Sequence, residues 1–238
     1  MSKHEEKEIT GEEIKKEFQV ERMILFSDAV FAIVITLMAI EIRLPETGGK
    51  EGALPLGQAL EHLLPVIVSY CISFVFIGAI WYQHLRMFSL LKDYDRGLIV
   101  RNLVLLFFVS LFPFSSSVIT HEQGGMTAMF FYLGIILLSV AAQYFLYRYI
   151  LVERPGLRIS SGIAKHMQEL RKQKISLVSF ASTYVLITLT SLLITKPELK
   201  PMSVMWMAVF PFVYRWMAAK KAKHAKAGVT EESGSKPE

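Results

Sequence analysis

A series of apolar runs, each close to membrane-crossing length, constrains this 238-residue chain more than any other feature. A hydrocarbon core of about 30 Å needs about 20 residues of helix at 1.5 Å rise per residue. Six segments meet or approach that length: Met23–Ile42, Leu63–Met87, Leu98–Ile119, Thr127–Leu151, Ile175–Ile194 and Met202–Trp216, the last short and interrupted by Pro211. Runs this long exceed the strands and helices of an ordinary soluble core. The expectation is an all-α membrane protein with six transmembrane helices. Pro113, inside the third run, lacks a backbone donor and predicts a kink there.

The formal charge of +5 raises the question of where the basic residues lie. Of the 26 Lys and Arg, 22 fall in the N-terminal arm, the second and fourth loops with their helix ends, and the C-terminal segment; Arg43, Lys50, Lys196 and Lys200 are the remainder. Such asymmetry predicts an even number of spans with both termini cytoplasmic, in a multi-pass protein of the cell membrane. It also explains the charge without a nucleic-acid partner. The fourth loop, about Val152–Lys174, and the basic stretch Lys220–Lys223 suit anionic lipid headgroups. Within that loop, Pro155-Gly156 predicts the end of the preceding helix, and Ala164–Gln173 predicts a short polar helix of its own.

Three regions are expected: a cytoplasmic arm, 1–21, a six-helix membrane domain, 22–218, and a basic, then disordered, cytoplasmic tail, 219–238. The arm has no apolar stretch, so the first span is expected to act as the insertion signal. Its segment Glu12–Glu17 is rich in Glu and Lys and predicts a helix running directly into that span. Cys71, the single cysteine, excludes an intramolecular disulfide and is expected as a packed thiol.

The first span carries a carboxylate, Asp28, inside an apolar helix, where its insertion costs about 2.5–3.5 kcal/mol at the centre and less near an interface. Such a group needs a partner. Arg22 lies six residues earlier, which places it about 120° away around the helix and rules out a simple pair within one helix. Trp81 and His84, one turn apart near the end of the second span, lie at a similar depth, and Asp28 or Ser27 is expected to engage them. On the helical wheel Ile33, Thr36, Leu37 and Ile40 share one direction with Ala29, while Asp28 lies about 140° away. Repeated around an axis, that stripe would form stacked apolar rings able to gate by excluding water. Glu41 at its outer end would attract cations. A stripe of this kind also describes a packing or lipid-facing surface, Asp28 also describes structural glue, and Trp81 and His84 also describe interfacial anchors. Thr36 alone also describes a residue bonded back to its own helix.

The absences are informative. The sequence has no T-V-G-Y-G filter, no ladder of arginines for voltage sensing, no phosphate-binding loop and no metalloprotease or hydrolase motif. Its histidines lack metal-ligand spacing, so no metal, cofactor or enzymatic chemistry is expected.

Arg22-x-x-x-Phe26-Ser27-Asp28, followed by Ala29 to Ile33 and by Thr36-Leu37, resembles the signature of the prokaryotic transmembrane protein 175 family of potassium channels. Trp81 and His84 support the resemblance; the rest of the chain matches in helix number and loop layout only. The resemblance implies a homotetramer whose first helices surround a central pore, without a re-entrant filter. It implies that Ile33, Leu37 and Ile40 form the gating rings, that Thr36 supplies a weak preference for potassium, and that Arg22, Phe26, Ser27, Asp28, Trp81 and His84 hold the first helix in place. A potassium-preferring, voltage-insensitive channel is the reading that follows, with potassium ions, further copies of the chain and membrane lipids as partners. The alternatives are a proton-coupled secondary transporter using Asp28 and His84, and a membrane scaffold acting through its basic loop and tail.

Overall fold

A computed structural model describes residues 11–40, 42, 56–120, 125–160 and 162–194. The described residues are helical almost throughout. Helix α1 spans Gly11–Ile40, α2 Leu56–Phe88, α3 Arg96–Ser110, α4 Phe112–Thr120, α5 Gly125–Arg148 and α6 Ile163–Leu193. A π-helical turn, Tyr149–Glu153, and a short 3-10 turn, Pro155–Leu157, follow α5. Among the described residues, five stretches are long and apolar enough to cross a membrane: Lys16–Ile40, Val66–Phe88, Arg96–Ile119, Gly125–Glu153 and Ile163–Leu193. The expected sixth span, Met202–Trp216, lies outside the described residues, as does the C-terminal tail.

The chain forms two compact units, Met1–Met167 and Gln168–Glu238. In the first, α1 to α5 pack around Ile77, Leu98, Leu105, Val109, Phe112, Leu146 and Ile150, all buried. Polar bonds tie α5 to α2. The Ser73 and Tyr132 hydroxyls lie 2.6 Å apart, and Gln143 Nε2 donates to the Ile80 carbonyl at 2.9 Å. Between membrane helices such bonds hold specific pairs together where apolar burial alone cannot distinguish helix from lipid.

The kink expected at Pro113 is a break: α3 stops at Ser110 and α4 starts at Phe112. Leu111 N–H closes the end of α3 on the Phe108 carbonyl at 3.3 Å, and the α pattern resumes with Ser115 N–H on the Leu111 carbonyl at 2.9 Å. Proline's missing donor and its ring make that interruption local.

Two expectations need correction. Ala164–Gln173 is no separate helix, because α6 runs unbroken from Ile163 to Leu193 and joins that polar stretch to the expected fifth span. Polarity there marks where the helix leaves the apolar layer, not where it ends. Cys71 is exposed rather than packed. It shares the outer face of α2 with Ile72 and Val75, where a thiol behaves as one more small apolar group.

At one end of the bundle, Asp95 caps α3. Its Oδ1 accepts from Leu98 N–H at 2.7 Å, and its Oδ2 accepts from the Tyr149 hydroxyl at 2.7 Å, with Arg154 Nε at 3.7 Å. Partial burial pushes the Asp95 carboxyl up, but the Tyr149 and Leu98 bonds and the Arg154 and Arg101 charges outweigh it and hold it below the usual carboxylate range. Arg101 lies 3.9 Å above the Tyr149 ring. The α2–α3 loop is fastened to the segment after α5: Lys92 N–H donates to the Leu157 carbonyl and Ile159 N–H to the Leu90 carbonyl, both at 2.9 Å. Lys16 on α1 reaches Asp93 in the same loop at 3.2 Å.

Candidate functional site

Helix α1 has two opposite faces. Val20, Ser27, Phe31, Val34 and Met38 are buried and lie within about 40° of one direction at 100° per residue. Ile33, Leu37 and Ile40 lie on the far side and are 56%, 45% and 59% exposed, with Thr36 exposed among them. The Thr36 hydroxyl turns back to its own helix, 2.9 Å from the Ile33 carbonyl and 3.1 Å from that of Ala32. Its proton is therefore spent on the backbone, and the oxygen keeps lone-pair capacity for a ligand outside the helix. Glu41, expected at the outer mouth, lies outside the described residues.

Asp28 sits on the flank of α1 that meets α2, where Trp81 Nε1 donates to its Oδ1 at 2.9 Å. One residue earlier, Ser27 is fully buried; it donates to the Met23 carbonyl at 2.8 Å and accepts from Asn102 Nδ2 at 2.9 Å. Asn102 Oδ1 lies 3.0 Å from His84 Nε2. An amide oxygen only accepts, so with the amide oriented in this way His84 carries its proton on Nε2. The chain of donors therefore runs from His84 through Asn102 and Ser27 to the α1 backbone. Phe88 stacks on the His84 ring at 3.9 Å and Phe31 tilts against it at 5.6 Å. His84 Nδ1 is buried with no hydrogen-bond partner among the described residues.

The predicted signature residues thus divide. Ser27 and Asp28 join Trp81 and His84 in a network between α1, α2 and α3. Arg22 and Phe26 lie on the outward face of α1, within about 20° of Ile33 at 100° per residue, where Phe26 is 54% exposed and Arg22 has a single described contact, its guanidinium 5.9 Å from the Phe18 ring. Beside them a groove of about 320 Å³ runs between α1 and α3, lined by Gln19, Arg22, Met23, Phe26, Tyr94, Ile99, Asn102 and Leu103. Sequence reasoning missed Asn102. The signal was there: an asparagine inside an apolar run needs a partner for the same reason as Asp28. No group of three His, Cys, Asp or Glu that could hold a metal occurs among the described residues.

Residues 22–113, which contain this whole network, match the family model described as endosomal/lysosomal potassium channel TMEM175. A protein named as a potassium channel from Streptomyces collinus (strain DSM 40733 / Tue 365) is 37% identical over 100 residues, 42% of this chain and 47% of the relative. Over that stretch this chain is similar to TMEM175 proteins. A second relative, named as a potassium channel from Chryseobacterium sp. (strain P1-3), is 32% identical over 121 residues, 50% of this chain and 59% of its own length. The chain thus spans about half the length of these curated relatives. The fold extends further than the sequence match. A crystal structure of a lysosomal potassium-selective channel TMEM175 homologue from Chamaesiphon minutus superposes with a TM-score of 0.63 at 24% identity, covering 84% of this chain and 97% of that one. These relatives carry the names of ion channels, not enzymes, and with five apolar helices of spanning length the chain is a multi-pass membrane protein.

Proposed function

We propose that this chain is the subunit of a potassium-preferring, voltage-insensitive channel in the cell membrane, assembled as a homotetramer with α1 around the axis and both termini in the cytoplasm. The observation that carries the reading is the outward stripe Ile33, Thr36, Leu37 and Ile40, on the face of α1 opposite its buried one and inside the segment shared with TMEM175 proteins. Ile33, Leu37 and Ile40 form successive apolar rings that resist wetting, and the Thr36 oxygen is the ligand that favours potassium. Glu41 concentrates cations at the outer mouth. Arg22, Phe26, Ser27, Asp28, Trp81 and His84 position α1, and the basic loop and tail rest on anionic headgroups.

A proton-coupled transporter built on Asp28 and His84 is the weaker reading. Asp28 is held by Trp81 on the flank of α1, and His84 is enclosed between Phe31 and Phe88. Both are arranged as packing groups away from the stripe.

The test is purified protein in liposomes loaded with potassium. Dissipative potassium flux, larger than sodium flux and insensitive to imposed voltage, is the expected result. Absence of flux in vesicles that respond to a control ionophore would sink the channel reading, and saturable uptake driven by a pH gradient and lost in Asp28→Asn would replace it with the transporter.

A further inference from the structure

The groove between α1 and α3 has a matching ridge on the same helix. Phe18 and Leu25, seven residues apart and so within about 20° of one direction, project from α1 and are 56% and 60% exposed. They lie about 100° around the helix from the α1 side of the groove, Gln19, Arg22, Met23 and Phe26. In a closed ring of four parallel helices each member meets its two neighbours in directions about 90° apart, with the axis midway between them. Here the direction midway between ridge and groove falls within about 20° of Ile33 and Ile40, the residues assigned to the pore. Ridge and groove are therefore placed as the two sides of one repeating contact. Their heights agree as well, because rotation about an axis keeps equally numbered residues level. Phe18 and Leu25 of one copy stand level with the stretch of α1, Gln19 to Phe26, that lines the groove of the next.

Charge divides the two sides in the same sense. Arg96 lies on the groove's face of α3, one turn before Ile99 and two before Leu103; it is exposed and makes no ion pair among the described residues. The acids nearest to it in sequence are taken, Asp93 by Lys16 and Asp95 by Tyr149 and Arg154. The ridge carries the opposite sign. Glu21 is exposed, makes no ion pair among the described residues, and lies about 50° from the Phe18 and Leu25 direction, on the side away from Ile33. On the groove, that outer side belongs to α3, whose Asn102 reaches the buried Ser27.

We infer that the groove is the seat for α1 of an adjacent copy of this chain, the partner's Phe18 and the partner's Leu25 lying against Phe26, Ile99 and Leu103, and the partner's Glu21 pairing with Arg96. The inference rests on the tetrameric channel reading and names the contact that closes the ring. Lipid satisfies apolar surface as well as protein does, so the fit of ridge into groove supplies the attraction and the ion pair fixes the register.

Disulfide trapping in the full chain tests it, in detergent and in a Cys71→Ser background that removes the exposed native thiol. Leu25→Cys and Leu103→Cys in one chain should, on mild oxidation, give a ladder of linked dimer, trimer and tetramer on a non-reducing gel, since every copy bonds to the next. Either substitution alone should stop at the dimer. Glu21→Arg and Arg96→Glu should each raise the concentration of half-dissociation about ten-fold, because four weak pairs are lost at once, and the two together should restore it. Native mass spectrometry reports the oligomer independently. An intact tetramer that conducts potassium but forms no ladder overturns this contact and leaves the channel reading standing, and so does one in which the two charge reversals add rather than cancel. A chain that stays monomeric overturns both.

Discussion

Asn102 joins three helices with one amide. It gives Ser27 on α1 a donor and gives His84 on α2 an acceptor, and all three side chains are buried. Asn102→Leu keeps the volume but orphans the His84 N–H and removes the donor to Ser27, at a cost of about 1–3 kcal/mol for each buried group left unsatisfied. Thermal unfolding in detergent should show a clear drop in Tm. Trp81→Phe, which loses one bond to Asp28 at the surface of the chain, should cost less than that. Equal losses in the two variants would mean that the buried network contributes no more than a surface bond. Thr36 belongs to the other face. Thr36→Val removes the oxygen while keeping the shape, so assembly should be unchanged and the potassium-to-sodium permeability ratio in liposomes should fall; an unchanged ratio removes Thr36 from selectivity. The contact between Asp28 and Trp81 was legible in the sequence because a carboxylate in an apolar helix requires a partner at its own depth. The route from Ser27 to His84 was not, because nothing in a linear pattern says that the bridging amide comes from the third span.

Among the elements, α3 is the one whose ends are most tightly specified. Its N-terminus depends on the Asp95 carboxylate, which accepts from Leu98 and Tyr149. Because the folded Asp95 is held below its ordinary value, its contribution to stability is fully present above the unfolded carboxylate pKa, about 4, and is lost as pH falls through the lower folded value. Asp95→Asn should therefore flatten the acid limb of a stability-versus-pH curve measured by thermal unfolding, leaving its slope near pH 7 unchanged. Gly97 has a separate constraint: a Cβ there would run into the Tyr149 hydroxyl and ring. Gly97→Ala should cost about 1–3 kcal/mol by overpacking and should also disturb the Tyr149–Asp95 bond. Boundaries at this scale were legible where backbone chemistry sets them. Pro113 interrupts the third span and Pro155-Gly156 coincides with a 3-10 turn, as their missing donors and conformational freedom require. The start of α6 was not legible in the same way, since Lys165 to Lys174 records contact with water, and a helix crosses from water to lipid without changing its hydrogen bonds.

For the whole molecule, the channel arrangement requires that water cover the outward face of α1. An apolar stripe in contact with lipid and an apolar stripe around a pore look alike in a single chain, and they differ in one physical property, access to water. Cysteine substitution reads that difference directly, after Cys71→Ser removes the exposed native thiol. In the channel arrangement Thr36→Cys and Ile40→Cys face a water path, so a membrane-impermeant thiosulfonate reagent should modify them, at a rate that Ile33→Ala increases by widening the tightest ring. Val75→Cys, at a position of α2 that is 69% exposed, provides the lipid-facing control and should remain unmodified. If Thr36→Cys and Val75→Cys prove equally inert while α1 is correctly inserted, the stripe faces lipid or protein. The pore then has to be sought elsewhere in the assembly. Modification at Thr36 and Ile40, together with larger flux in Ile33→Ala, would instead tie the stripe to conduction: a smaller side chain lowers the cost of wetting only where the rings surround the water path.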